Sequence, residues 1–213
     1  MEEAEAKQWL VEQLAVPRET FVNLERLVTL LSEENERQNL VSRGSLETVW
    51  TRHIVDSAQL LRWSPSPSAS WIDLGTGAGF PGLVVAALHT GAVTMVEARK
   101  LRVDFLLRAA DVLGIGERVT ILCAKAEAVE ARGYDVISAR AFAPLDKLLS
   151  IGERFSTAKT RWILPKGRNA KSELEAVESL WQGDFRLEPS LTDADASIIV
   201  AEGVRRRGKG KPR

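Results

Sequence analysis

Four glycines crowd into the eight residues that close Asp73-Leu-Gly75-Thr-Gly77-Ala-Gly79-Phe-Pro81-Gly82, between the β-prone run Trp71–Leu74 and the apolar helical run Leu83–Leu88. Glycine loses more conformational freedom on folding than any other residue. Such a density is therefore unfavourable unless the backbone must turn tightly and approach a ligand closely. Pro81 presets the first helical turn. A strand, a glycine loop and a helix in that order point to an open parallel sheet, which binds its ligands beyond the carboxyl ends of its strands.

The rest of the chain agrees with that frame. β-prone runs recur at Val93–Val96, Val119–Leu122, Asp135–Ser138, Trp162–Leu164, Phe185–Leu187 and Ile198–Val200, and helical patterns such as Arg99–Leu113 and Lys171–Trp181 lie between them. Strands alternating with helices imply parallel neighbours joined by crossover helices. Only Glu188–Ser197 separates the last two runs, too little for a helical crossover, so the sheet is expected to finish antiparallel. The fold class is α/β: a Rossmann-like, doubly wound, mostly parallel sheet with an antiparallel final strand and an N-terminal helical cap.

The cap is read from a different periodicity. Phe21, Leu24, Leu27, Val28 and Leu31 follow helical three-four spacing after the breaker Pro17. A further helix is predicted to start at the capping residue Ser45, with Leu46, Val49, Trp50, His53, Ile54 and Ser57 on one face. Ser64-Pro-Ser-Pro-Ser-Ala-Ser70 suits neither helix nor inner strand and marks a boundary. The expected organisation is a helical segment over 1–64 packed on the core, a core over 65–204 and a basic tail over 205–213.

Composition removes several classes. The longest apolar run near the loop, Leu83–Leu88, falls far short of the ~20 residues a bilayer needs, and the acidic start Met1-Glu-Glu-Ala-Glu does not resemble a secretory signal. The single Cys123 cannot form an internal disulfide and has no Cys/His cluster around it for zinc; no metal is expected. The expectation is a cytoplasmic protein, monomeric and without membrane association. Net charge is zero, but Arg205–Arg213 carries six basic residues and no acid, leaving 23 basic against 29 acidic residues before it. That tail reads either as a nucleic-acid tether or as a solvated end.

Two cofactors suit the loop. Gly77-Ala-Gly79-Phe-Pro-Gly82 satisfies the dinucleotide pattern G-x-G-x-x-G, and Glu97, 22 residues after Gly75, sits where a carboxylate takes ribose hydroxyls. An NAD(P)-dependent oxidoreductase is therefore one reading. S-adenosyl-L-methionine is favoured because the glycines begin directly after Asp73-Leu74 and the helix begins late, at Pro81, leaving a broader loop than a pyrophosphate on a helix end requires. The only tyrosine, Tyr134, is followed four residues later by Ser138, so no Tyr-x-x-x-Lys relay exists. A non-catalytic RNA- or ribosome-binding module with a relic loop is the third reading.

The fourth β run ends Ser138-Ala-Arg140-Ala-Phe142, without the Asn-Pro-Pro-Tyr type of run that cradles an amine. Cys123 lies inside the third run and is expected to be a small core residue. A site without amine cradle or covalent nucleophile suits an acceptor that is already nucleophilic, such as guanine N7, which carries a lone pair and no proton. No residue is then required as general base, and positioning and electrostatics do the work. Arg140 is a candidate for holding the guanine, with a salt bridge at the sheet edge as its structural alternative. His53 is either a packed core histidine or, with Asp56, a neighbour of the loop. Trp50, Trp63 and Trp71 are read as core.

Taken together, Asn39-Leu40, Arg52-His-Ile-Val-Asp56-Ser57, Asp73–Gly82, Asp104-Phe-Leu106, Ser138-Ala-Arg140-Ala141 and Lys166-Gly167 resemble the bacterial glucose-inhibited division protein B family, from about residue 20 to residue 170. The resemblance implies a methyltransferase acting on guanine N7 of 16S ribosomal RNA, free or in an assembling small ribosomal subunit. It implies cofactor contacts at Gly75, Phe80, Ala126, Glu127 and Arg140, with Glu127 accepting the adenine amino group. Asp73, Gly77, Gly79 and Glu97 complete the expected cofactor set, and Arg140, Lys166, His53 and Asp56 are the candidates for positioning substrate. The chain departs from the family pattern at Lys125, at Arg99, Lys100 and Arg102, and in Ile198-Ile-Val-Ala-Glu202.

Overall fold

The computed structural model describes residues 1–208. Its centre is one seven-stranded sheet in the order β3-β2-β1-β4-β5-β7-β6. The strands are β1 (Trp71–Leu74), β2 (Val93–Glu97), β3 (Val119–Cys123), β4 (Val136–Ser138), β5 (Arg161–Lys166), β6 (Trp181–Pro189) and β7 (Ser197–Arg206). β1 to β5 pair in parallel, and β7 runs antiparallel to both β5 and β6. The order reverses at β1, whose neighbours are β2 on one side and β4 on the other. That reversal opens the crevice in which sheets of this kind bind ligands.

Among the described residues eight α-helical segments surround the sheet: α1 (Glu3–Leu14), α2 (Arg18–Gln38), α3 (Arg43–Glu47), α4 (Asp56–Ala58), α5 (Gly82–Leu88), α6 (Lys100–Leu113), α7 (Leu145–Gly152) and α8 (Ala170–Val177). The α2 stripe buries Leu24, Leu27 and Leu31 fully. These residues join Trp71, Val85, Phe105 and Ile198 in one apolar cluster, so the N-terminal helices complete the core on one face of the sheet. A part-buried ion pair adds direction to that contact. Arg108 on α6 donates to Glu34 on α2 at 2.7 Å and, as the main cause, holds the Glu34 carboxyl below its ordinary range. On the opposite face Ile72, Ile137, Trp162 and Ile199 pack with Leu148 of α7 and Val177 of α8. No helix among the described residues is long and apolar enough to cross a membrane.

Several local expectations are corrected. The third helix is capped three residues earlier than expected: Ser42 Oγ accepts from Ser45 N at 3.2 Å. That helix is not continuous through Ser57. It breaks at Thr48, widens to a π-helical run over Trp50–Val55, and passes through α4 into a 3-10 turn over Gln59–Trp63. The pattern over Lys171–Trp181 ends as a helix at Val177, because Trp181 is recruited to β6, which is longer than the predicted Phe185–Leu187. Only a 3-10 turn, Ala126–Ala128, joins β3 to β4, where a crossover helix was expected. Cys123 ends β3 and is exposed rather than a core residue. Arg205 and Arg206 belong to β7, so the segment expected as a tail begins inside the sheet, and residues 209–213 lie outside the described residues.

Candidate cofactor and acceptor site

The loop between β1 and α5 is fastened from below. Asp73 is fully buried; its Oδ2 accepts from Gly82 N at 3.1 Å and its Oδ1 from Ser138 Oγ at 2.7 Å. Trp71 Nε1 donates to the same Ser138 Oγ at 2.8 Å, tying β1 to β4 directly beneath the crevice. Burial pushes the Asp73 carboxyl above its ordinary value, and the hydrogen bonds from Ser138 and Gly82 oppose that push. Asp73, expected among the cofactor contacts, is therefore tied to the first residue of α5 and to β4 rather than facing outward.

Glu97 closes the loop from the side. Its Oε2 accepts from Gly77 N at 3.1 Å, its Oε1 accepts from Arg99 N at 2.8 Å, and Arg102 Nη1 stands 3.8 Å away. Gly77 has φ +60°, a left-handed conformation that a side chain strains, yet a Cβ there would meet only Arg102 Nη1 at 3.6 Å and Gly75 O at 3.9 Å. A Cβ therefore fits on that side at ordinary contact distance, with a buried carboxylate beside it. Room along the backbone and an acid at the end of β2 fit the ribose and sulfonium parts of S-adenosylmethionine. Ala126 is buried and Glu127 exposed on the turn after β3, at the same end of the sheet.

On the other side of the loop lies a cavity of about 990 Å³, lined by residues of the α3–α4 region, the β4–α7 loop, β5 and the β6–β7 turn. Arg140 is its hub. Its Nη1 donates to Asp56 Oδ2 at 3.1 Å and to Arg52 O at 3.0 Å, and its Nη2 reaches His53 Nδ1 at 2.9 Å. His53 stacks on Phe80 with ring centroids 4.8 Å apart, and the Arg140 guanidinium lies 5.5 Å from the same Phe80 ring. Burial first, then the charges of Arg140 and Arg52, lower the His53 pKa to about 3.

Lys166 completes the cation set across the cavity. Its Nζ donates to Glu173 Oε2 at 2.8 Å and to Ala143 O at 3.3 Å. Both cations are thus already paired with acids, Arg140 with Asp56 and Lys166 with Glu173. The structural alternative for Arg140, a salt bridge, is present, but within the cavity rather than at a sheet edge.

The fold therefore gathers the expected residues into two adjoining groups. Gly75, Gly77, Gly79, Phe80 and Glu97 surround the loop, with Ala126 and Glu127 on the turn beyond β3. His53, Asp56, Arg140 and Lys166 line the cavity. His53 is both a packed histidine and a neighbour of the loop, through Phe80. Trp50 and Trp71 are buried and Trp63 half-buried.

Sequence reasoning missed the β6–β7 turn. Thr192 Oγ1 donates to Asp56 Oδ1 at 2.8 Å, Leu191 N donates to Gln59 Oε1 at 2.8 Å, and Asp193 pairs with Arg52 at 3.0 Å. These contacts join positions more than a hundred residues apart, and no local pattern announces them. Phe142 ends the segment Ser138-Ala-Arg140-Ala-Phe142, and no local pattern in the sequence assigns it a role.

A family model described as GidB, rRNA small subunit methyltransferase G, matches residues 21–194. The "Ribosomal RNA small subunit methyltransferase G" of Rhizorhabdus wittichii is 53% identical over 99% of this chain and 97% of its own length. That of Novosphingobium aromaticivorans is 54% identical over 93% and 87%. Among solved structures, a putative O-methyltransferase from Klebsiella pneumoniae superposes with a TM-score of 0.63 at 15% identity, covering 92% of this chain and 96% of that one. The O-methyltransferase from Bacillus cereus in complex with SAH gives 0.61 at 15% identity with the same coverage. These two share the Rossmann-like fold. Matched by the family model over most of its length and by relatives at more than half identity, the chain belongs to the GidB family, rRNA small subunit methyltransferase G.

Proposed function

We propose that this protein transfers a methyl group from S-adenosylmethionine to N7 of a guanine in 16S ribosomal RNA. Its substrate is the free RNA or an assembling small subunit, and it acts as a cytoplasmic monomer. Family membership favours this reading over an NAD(P)-dependent oxidoreductase and over a non-catalytic RNA-binding module. When bound, S-adenosylmethionine supplies an electrophilic methyl on a sulfonium. Gly75, Gly77, Gly79 and Phe80 would hold it along the loop, Glu97 at the ribose, Ala126 and Glu127 at the adenine, and Arg140 at the boundary with the acceptor.

One observation carries the choice of acceptor: His53 has its only free lone pair engaged, and the carboxylates Asp56 and Glu173 are each tied to a cation. His53 Nδ1 accepts from Arg140, so the neutral imidazole keeps its proton on Nε2 and has no site free to take another. Asp56 is held by Arg140, Thr192 and Gln59, and Glu173 by Lys166 and Leu145 N. A cavity arranged in this way suits an acceptor that needs no deprotonation, and guanine N7 is one. Arg140 and Lys166 then orient the base or its phosphates through their remaining N–H groups. His53 and Asp56 act one step back, by fixing the guanidinium.

Mapping N7-methylguanine in small-subunit ribosomal RNA from cells with and without the gene tests the assignment. A single guanine that loses its N7 methyl group in the deletion strain is the expected result. An unchanged methylation pattern refutes it.

A further inference from the structure

The loop after β4 carries the aromatic ring of Phe142. Ala141 has φ +51°, a left-handed conformation that a residue with a Cβ rarely adopts, and it redirects the chain immediately before Phe142. Phe142 is half-buried, and the Cδ2–Cε2 edge of its ring rests against Gly75, the first glycine of the cofactor loop. A Cβ at Gly75 would fall 2.2 Å from Phe142 Cδ2 and 2.9 Å from Cε2. Gly75 is thus glycine for a second reason besides its positive φ: it seats this ring.

Phe142 also lines the acceptor cavity together with Arg140 and Lys166. It therefore stands between the backbone that carries the cofactor and the space that receives the substrate. Among the described residues the cavity lining contains one other aromatic ring, His53, which is buried and already stacked on Phe80.

The geometry points to Phe142 as the stacking platform for the acceptor base, braced edge-on against Gly75. This rests on the methyltransferase reading above. Arg140 and Lys166 donate hydrogen bonds, which fix a purine within its own plane but set the tilt of that plane only weakly. In-line attack on a methyl group requires the N7 lone pair, which lies in the base plane, to point along the carbon–sulfur bond, so the tilt must be held as well. An aromatic face next to the cofactor loop holds it, as aromatic side chains hold bases elsewhere in nucleic-acid recognition. Because the ring is braced on Gly75, the base plane is set relative to the backbone that also positions the cofactor. The alternative role for Phe142 is an apolar plug that keeps the β4–α7 loop closed on Gly75, and leucine would serve there nearly as well.

The test compares wild type with Phe142→Tyr, Phe142→Leu and Phe142→Ala in the full chain. S-adenosylhomocysteine affinity is read by calorimetry. Methyl transfer to small subunits from cells lacking the gene gives kcat and KM, and nucleoside digestion locates the methyl group. Phe142→Tyr is expected to retain most of the turnover, while Phe142→Leu and Phe142→Ala lose roughly tenfold to a hundredfold in kcat/KM, the range of one base–aromatic stack. S-adenosylhomocysteine affinity should stay near wild type in Phe142→Leu. Wild-type turnover in Phe142→Leu, or cofactor affinity in that variant falling in step with turnover, overturns the platform and leaves the plug. A wild-type product methylated at an atom other than guanine N7 would overturn the functional reading alone. The contrast between tyrosine and leucine still decides the platform in that case, since every base presents a π face.

Discussion

Arg140 Nη2 and His53 Nδ1 lie 2.9 Å apart, a guanidinium donating to an imidazole that burial and two neighbouring positive charges keep neutral. With the His53 pKa lowered to about 3, the ring does not titrate across the range in which enzymes with a histidine base show their activity limb. Methyl transfer should therefore be flat from about pH 6 to about pH 9. Arg140→Ala and Lys166→Ala should each lower turnover by about tenfold or more. His53→Gln, which keeps an acceptor for Arg140, should retain most of the activity. A steep fall below about pH 6.5 that disappears in His53→Gln would mean that the acceptor is deprotonated by His53, and the N7 assignment would be abandoned.

The same histidine makes the fold acid-sensitive. Above about pH 6.5 His53 is neutral in both folded and unfolded chains and contributes nothing to the pH dependence. Below that, the unfolded chain takes up a proton that the folded chain refuses until about pH 3, so stability is lost progressively across this window. Between about pH 7 and about pH 5 the wild type should lose about 2 kcal/mol more than His53→Gln. Urea unfolding at the two pH values measures the difference. Equal losses in the two proteins would show that His53 is protonated in the fold.

Gly77→Val separates cofactor binding from folding. A side chain there is strained by φ +60° but meets no packed neighbour closer than Arg102 Nη1 at 3.6 Å. A destabilisation of about 1 to 2 kcal/mol, with the circular dichroism spectrum of a folded protein, is expected. S-adenosylmethionine affinity should be lost, because the new side chain occupies the face of the loop that the cofactor is proposed to line. Calorimetric titration checks this, and unchanged affinity would remove the loop from the cofactor site.

The C-terminus calls for two truncations. Arg206 N reaches Glu153, the Arg206 guanidinium lies 5.9 Å from the Trp181 ring, and Arg207 donates to Glu178 O and Trp181 O. Removing 205–213 cuts into β7 and should lower the thermal midpoint by several degrees, since about 1 kcal/mol corresponds to roughly 2–4 °C at this size. Removing 208–213 leaves the strand whole and takes away Lys209, Lys211 and Arg213. If they contact phosphates, RNA affinity should weaken and its salt slope should flatten by up to about 3. A filter-binding salt titration with an unchanged slope would make this end a solvated one.

The correct and the missed elements divide along a physical line. The run from Trp71 to Leu88 was legible because strand, glycine loop and helix are each set by neighbouring residues, and the parallel core followed from that alternation. Trp181 was misread because its indole satisfies a helical pattern in sequence, while in the fold it sits in β6 opposite Arg206 and donates to Asp146. The helix expected through Ser57 failed for a related reason. Its apolar spacing is helical, but packing against α1, where Glu3 accepts from Trp50 N and Thr51 N, accompanies a backbone wider than an α-helix.

By itself the sequence determined the doubly wound sheet, the position of the glycine loop and the residue types available for chemistry, because periodicity and backbone propensity act over a few residues. Tertiary structure decided what those residues do. His53 and Arg140 are 87 positions apart and Asp56 and Thr192 are 136 apart. Whether Arg140 is a free cation or a fixed one, and whether His53 has a lone pair to offer, depends on those distant partners. Hydrogen bonding and desolvation are properties of the assembled site, and they come into being only when β4, the α3–α4 region and the β6–β7 turn close around it.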